Sequence, residues 1–214
     1  VRGLADAVRG PADAGDDGAV LVIVGGLPAT GKSTICRQTA RANGAVHLRI
    51  DTIEQAVVNS GLTQHPVGCV GYVVGYALAT DHLRQGLTVL ADSVNPLAIT
   101  RDAWRAVALT AGVPALEVEV VCSDAAEHRR RAESRRTDIA GLVPPSWSQI
   151  VARRYEPWSR ERLVLDTTTR TVADAVAELR RAMAAAAAPP PPQLHPPTAQ
   201  LVRRVAARGD ADSG

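Results

Sequence analysis

The chain has 214 residues, 46% of them apolar, with no Phe and only 3% aromatics, so it has room for one α/β domain with tails, its core filled by Val, Leu, Ile and Ala. A net charge of +2 is too small to make nucleic acid the main partner. Cys36, Cys69 and Cys122 are odd in number and widely spaced, which argues against a disulfide or metal framework and for reduced core thiols in a soluble cytoplasmic protein, and no N-terminal apolar run is long enough to span a bilayer.

Residues 1–18, rich in Gly, Asp and Ala, read as a disordered leader before a domain at residues 19–188. Val20–Val24 is a short β-branched run, as expected of a strand buried on both faces. Lys32–Ala42 reads as a helix ended near Asn43-Gly44, Ala45–Ile50 as a second strand, and Thr52–Asn59 as a short helix. Val70–Gln85 forms a long helix whose pattern Gly71 and Gly75 weaken. Thr88–Ala91 is a third strand running into Asp92. Thr100–Ala111 is helical, Leu116–Val121 a fourth strand, and Ala125–Arg136 a very basic helix within a lid at about residues 124–145. Ser146–Tyr155 is a short helix, Leu163–Leu165 a fifth strand, and Val172–Ala187 the closing helix. Residues 189–214 are Pro-rich with a weak basic patch and read as a disordered tail. Strands alternating with helices predict a three-layer α/β fold, a parallel five-stranded sheet with helices on both faces. Ligands of such a sheet sit at the carboxyl ends of its strands.

The motifs fall there. Gly26-Leu27-Pro28-Ala29-Thr30-Gly31-Lys32-Ser33 fits the P-loop pattern, with a buried strand before it and a helix after it. Its glycines let the backbone curl so that N–H groups point at phosphate oxygens, and the helix N-terminus adds more of them. Lys32 then bridges the β- and γ-phosphates, Ser33 offers a hydroxyl to Mg²⁺, and Thr34 one near the α-phosphate. The cofactors expected are ATP and Mg²⁺. Asp92, at a strand end, either completes the metal site with Ser33 or caps the next turn. Asp51 is placed to take the proton of an attacking hydroxyl, and it can equally be the N-cap of the helix that follows, with Glu54 third in line. Arg129, Arg130, Arg131, Arg135 and Arg136 crowd one helix. Arg131 and Arg135 share a face and suit a lid that supplies arginines to a transferring phosphoryl group, the alternative being a solvated basic face. His65 and Arg101 are candidates for the acceptor pocket. His47 and His128 have no ligand partner at metal spacing, and Trp104, Trp147 and Trp158 read as packing residues.

This order of P-loop, Asp51 step, Asp92 and arginine helix resembles the small P-loop kinases. That broad group includes chloramphenicol phosphotransferase, zeta-toxin-like kinases, gluconate and adenylylsulfate kinases, and polynucleotide 5′-kinases. Ile50-Asp51-Thr52-Ile53-Glu54, the stretch from Arg131 to Leu142, and Leu165-Asp166-Thr167-Thr168 are most similar to chloramphenicol phosphotransferase. The resemblance implies a P-loop nucleoside triphosphate hydrolase fold, Asp51 as base, Arg131 and Arg135 in the lid, and Thr167 near the adenine base. Two departures bear on the acceptor. Polynucleotide kinases carry an Arg where this chain has Glu54, which would repel a phosphate, so nucleic acid is disfavoured and a polyol or amine-bearing acceptor suits better. The loop interior Leu27-Pro28-Ala29-Thr30 also differs from the Ser-rich version of chloramphenicol phosphotransferase. The function expected is transfer of the γ-phosphate of ATP to a hydroxyl of a small molecule, an antibiotic, sugar or related metabolite. The alternatives are a nucleotide-binding regulatory ATPase and a polynucleotide 5′-kinase.

Overall fold

The computed structural model describes residues 18–188; the proposed leader before residue 18 and the tail from 189 onward lie outside them. Twelve elements follow one another: β1 (Leu21–Gly25), α1 (Lys32–Asn43), β2 (Val46–Arg49), α2 (Ile50–Asn59), α3 (Val70–Arg84), β3 (Val89–Asp92), α4 (Ala98–Ala111), β4 (Ala115–Val121), α5 (Ala125–Ser134), α6 (Trp147–Val151), β5 (Leu163–Asp166) and α7 (Val172–Ala187). All strand pairs are parallel, in the order β2-β3-β1-β4-β5. This is the five-stranded parallel α/β sheet that the sequence predicts.

β1 lies at the centre, and every one of its residues is buried. Side chains alternate across a strand, so its apolar run serves two cores. Val20, Val22 and Val24 join Ile35, Cys36, Leu179 and Met183 beneath α1 and α7. Leu21 and Ile23 point the other way and join Ile50, Leu83, Trp104 and Val107 beneath α2, α3 and α4. Because the chain leaves β1 for β3 and β2 on one side and returns to β4 and β5 on the other, the strand order reverses at β1. That reversal opens a crevice at the carboxyl end of β1.

Gly71 and Gly75, which weaken the helical pattern in the sequence, are what lets α3 dock. A Cβ at Gly75 would sit 2.5 Å from Ile50 Cδ1 and 3.4 Å from the Trp104 ring, and one at Gly71 would sit 2.3 Å from Glu54 Cγ. β4 carries two buried carboxylates, Glu117 and Glu119. The segment from Arg153 to Arg162 crosses over them. Arg160 bonds Glu117 and Asp102, Arg162 and the Tyr155 hydroxyl bond Glu119, and Trp158 donates its indole N–H to Tyr155. Each buried charge is thereby paired and hydrogen-bonded, the condition under which charges tolerate an interior. Among the described residues no helix is long and apolar enough to cross a membrane.

Candidate active site

The loop from Gly26 to Gly31 leaves β1 through left-handed backbone: φ is 134° at Gly26, 67° at Ala29 and 97° at Gly31. A side chain at Gly26 would place Cβ 2.1 Å from the Val120 carbonyl oxygen, so only glycine fits there. Three of the loop's carbonyl groups are already engaged by side chains. Lys32 Nζ donates to Leu27 O at 2.9 Å, the Thr30 hydroxyl donates to the same oxygen at 3.0 Å, His128 Nε2 donates to Pro28 O at 2.8 Å, and the Thr167 hydroxyl donates to Thr30 O at 2.9 Å. What remains for an anion is the loop's N–H groups and the N-terminus of α1. Burial lowers the Lys32 pKa, against the opposing pull of Asp92 and Asp51.

A cleft of about 1240 Å³ opens from this loop. Pro28, Ala29 and Gly31 to Thr34 form one end, and Asp51, Glu54, His65, Asp92, Arg131 and Arg135 also line it. Asp92 stands at the end of β3, buried, with His47 Nε2 3.1 Å from its Oδ2. Burial by itself would raise its pKa, but hydrogen bonding from His47 and Ser33 and the charge of Lys32 together hold it below the usual carboxylate range. Ser33 and the ionised Asp92 are hard oxygen donors beside the phosphate cradle, a set that fits Mg²⁺, which keeps most of its waters and takes one or two protein oxygens.

Asp51 lies one residue inside α2 and is not its N-cap. Arg49 holds that position in extended conformation without a side-chain cap bond. Freed from capping, Asp51 faces the cleft with Glu54 three residues on along the same side of the helix. Among the described residues neither carboxylate has a hydrogen-bond or ion-pair partner. Burial, and next the charge of Asp51, raise the Glu54 pKa to about 7, with Arg153 offsetting part of this. His65 also borders the cleft, its Nε2 3.2 Å from Gln55 Oε1.

The arginines expected to form a lid differ from one another. Arg131 is anchored: its Nε donates to Glu127 at 2.7 Å, and its two Nη groups donate to the Thr167 hydroxyl and carbonyl at 2.7 and 3.0 Å. Arg135 does not share a helical face with it, because α5 ends at Ser134 and Arg135 is already extended, with ψ 130°. It lines the cleft without a partner among the described residues, near enough to Lys32 to lower its pKa. Arg129 and Arg130 are exposed and paired with Glu133 and Glu127.

Two expected residues stand elsewhere. Arg101 is buried beneath the crossing segment, donating to the carbonyls of Glu156 and Pro157, with its guanidinium 4.6 Å from the Trp158 ring centroid. It does not line the cleft; a charge that looks free in sequence is spent on carbonyl groups some 55 residues away. Thr167 likewise does not line the cleft. Its hydroxyl lies behind the loop, between Thr30 O and Arg131.

Other contributions are not visible in the sequence. His128 is buried against Trp147, ring centroids 5.2 Å apart, and ties the lid helix to the P-loop through Pro28. Asp138 in the lid accepts from Arg37 at 2.6 Å and Arg49 at 2.7 Å, clasping the lid to α1 and the end of β2. Those partners are 101 and 89 residues away, so no spacing rule finds them. Cys69 is exposed, contrary to the expectation of a core thiol, while Cys36 and Cys122 are buried. His47 has no ligand partner in sequence, yet the sheet brings it together with Cys36 and Asp92.

Residues 21–157 match the model of a family described as AAA domain. No curated protein matches the sequence. Among solved structures, the chain is similar to the Mycobacterium tuberculosis APS kinase in complex with AMPPNP and APS, with a TM-score of 0.60 and 20% identity over 78% of this chain and 98% of that one. A sugar kinase from Janibacter sp. HTCC2649 gives 0.57 and 17% over 80% and 99%. A gluconokinase from Sinorhizobium meliloti 1021 gives 0.51 and 16% over 90% and 97%. At these identities the likeness establishes the fold, that of the P-loop nucleoside triphosphate hydrolases.

Proposed function

The chain belongs to the AAA domain family, and from that premise we propose that it is an ATP-dependent phosphotransferase acting on a hydroxyl of a small molecule. The observation that carries this reading is the pairing, in one cleft, of a complete phosphate cradle with an unpartnered carboxylate, Asp51. The similar structures named as kinases of APS, gluconate and sugars support it. So does the resemblance to chloramphenicol phosphotransferase and zeta-toxin-like kinases, which leaves antibiotics, sugars and related metabolites as acceptors.

The loop amides and Lys32 hold the triphosphate of ATP. Ser33 and Asp92 would hold Mg²⁺, whose chemistry is to neutralise charge on the β- and γ-oxygens. Asp51 takes the proton of the acceptor hydroxyl as its oxygen bonds to the γ-phosphorus, while the bridging oxygen leaves with ADP. Arg135, unpaired at the cleft, is free to meet the charge that spreads over the transferring group. Arg131 positions rather than contacts, bracing the loop through Thr167. On the acceptor side the carboxyl groups of Asp51 and Glu54, neither of them ion-paired, disfavour a phosphate-bearing ligand and favour a neutral or amine-bearing one. The free thiols suit a reducing compartment such as the cytoplasm.

The test is mass-spectrometric screening of metabolites and antibiotics for ATP-dependent gain of a phosphoryl group, with Asp51→Asn as control. Transfer is expected to fall at least 100-fold in that variant while ATP affinity is kept. Unchanged turnover would remove Asp51 as the base, and no phosphorylated product from any acceptor would remove the reading.

A further inference from the structure

We propose that Cys36, His47 and Asp92 form a binding site for a thiophilic divalent ion, Zn²⁺ in the first instance, and that filling it inhibits the protein by withdrawing Asp92 from Mg²⁺. The inhibitory half rests on the reading of Asp92 given above; the metal site does not. Three elements meet here. Cys36 is one turn along α1 from Lys32, His47 lies in β2, and Asp92 ends β3, with β2 and β3 paired so that Arg49 is in register with Asp92. The cysteine sulfur, a ring nitrogen of His47 and a carboxylate oxygen of Asp92 all lie within 4.8 Å of one another. His47 and Asp92 are already in contact at 3.1 Å.

Zinc bonds of about 2.3 Å to sulfur and about 2.0–2.2 Å to nitrogen and oxygen put tetrahedral ligands about 3.3–3.7 Å apart. Side-chain rotations of about 1 Å would therefore close the set, leaving a fourth position for water. Cys36 and Asp92 are buried, whereas the His47 side chain keeps 17% of its surface exposed and marks the way in. The thiol proton passes to solvent as the sulfur–metal bond forms. Thiolate and carboxylate then neutralise the dication. Ligand type discriminates between ions. A thiolate and an imidazole favour Zn²⁺ or Co²⁺, whereas Mg²⁺ prefers oxygen and its own waters. On this proposal zinc draws the Asp92 carboxylate toward Cys36 and His47, and Mg²⁺ competes for the same group.

The full chain, without nucleotide, is titrated with Co²⁺ and then Zn²⁺. One equivalent of Co²⁺ should give the sulfur-to-cobalt charge-transfer absorption and strong visible bands of a four-coordinate complex, bleached by Zn²⁺. Cys36→Ser should abolish the charge-transfer band and His47→Gln should weaken Co²⁺ at least tenfold, both with circular dichroism unchanged. Replacing the exposed thiol, Cys69→Ser, should leave the spectrum alone. Zn²⁺ should weaken Mg²⁺–ATP binding, measured by calorimetry, and Cys36→Ser should be at least tenfold less sensitive. Absence of the charge-transfer band, or its loss with Cys69→Ser instead, overturns the site. A spectrum as expected with Mg²⁺–ATP binding indifferent to Zn²⁺ overturns the inhibition alone. Neither readout needs an acceptor, so failure to find one leaves both tests intact.

Discussion

Glu54 is held where its charge is unwelcome. Its carboxyl is half-buried, α3 presses Gly71 against its Cγ, and Asp51 adds a like charge, so its pKa rises from 4.5 to about 7. Between those two values the folded protein keeps a proton that the unfolded chain has released. The native state binding more protons, stability must fall as pH rises through that window. Screening at a half-exposed group reduces the effect to about 1–2 kcal/mol. Glu54→Gln should therefore match the native chain near pH 4.5 and exceed it in urea midpoint at pH 8. Parallel pH profiles for the two proteins would show that Glu54 ionises normally. The identity of this residue, an acid where polynucleotide kinases have Arg, is plain in the sequence. Its displaced titration is not, because the larger cause is burial by tertiary packing, which sets α3 at Gly71, 17 residues further on, against its side chain. Asp92, Ser33 and Lys32 are legible for the converse reason: strand, loop and helix place them by local rules. Arg101 misleads because an arginine's partners are set by tertiary contact, here carbonyl groups of a segment with no regular structure.

At the scale of elements, α3 shows how a local penalty becomes a packing device. Glycine in a helix interior costs about 0.5–1 kcal/mol relative to alanine, and by propensity alone Gly75→Ala should stabilise. The structure reverses that sign. The added Cβ would meet Ile50 Cδ1 at 2.5 Å, with the Trp104 ring at 3.4 Å behind it, in a core too dense to yield freely. Overpacking of this kind costs about 1–3 kcal/mol. Gly75→Ala should lower the denaturation midpoint, and Ile50→Val together with it should recover part of the loss. A midpoint raised by Gly75→Ala would mean that α3 is not seated against Ile50. Strands and helices were readable from periodicity and capping residues because those signals act over a few positions. The end of α5 was not. The basic run continues through Arg136, but the helix stops at Ser134, and the lid beyond it is held by Asp138 between two distant arginines. Nothing local in the run marks that stop.

For the whole molecule, the crevice joins parts contributed by separate elements. The P-loop belongs to β1 and α1, Asp92 to β3, Asp51 to α2, and the lid to α5. Two of the contacts between the lid and the rest are the ion pairs of Arg37 and Arg49 with the half-exposed Asp138, and ion pairs open to solvent are individually weak. A nucleotide held by the loop, the metal pair and a lid arginine at once would bind the folded chain and not the unfolded one. By linkage, ATP with Mg²⁺ at 100 times its dissociation constant should add about 2.7 kcal/mol of stability. For a domain of this size that is a rise of roughly 5–10 °C in Tm. The increment has two separable parts. Asp92→Asn removes a negative charge from beside the triphosphate, so the variant should keep most of the shift given by ATP with EDTA. It should lose the additional shift that Mg²⁺ brings. If Mg²⁺ adds as much to the variant as to the native chain, Asp92 does not hold the ion, and the hydroxyl of Ser33 and the phosphates themselves suffice.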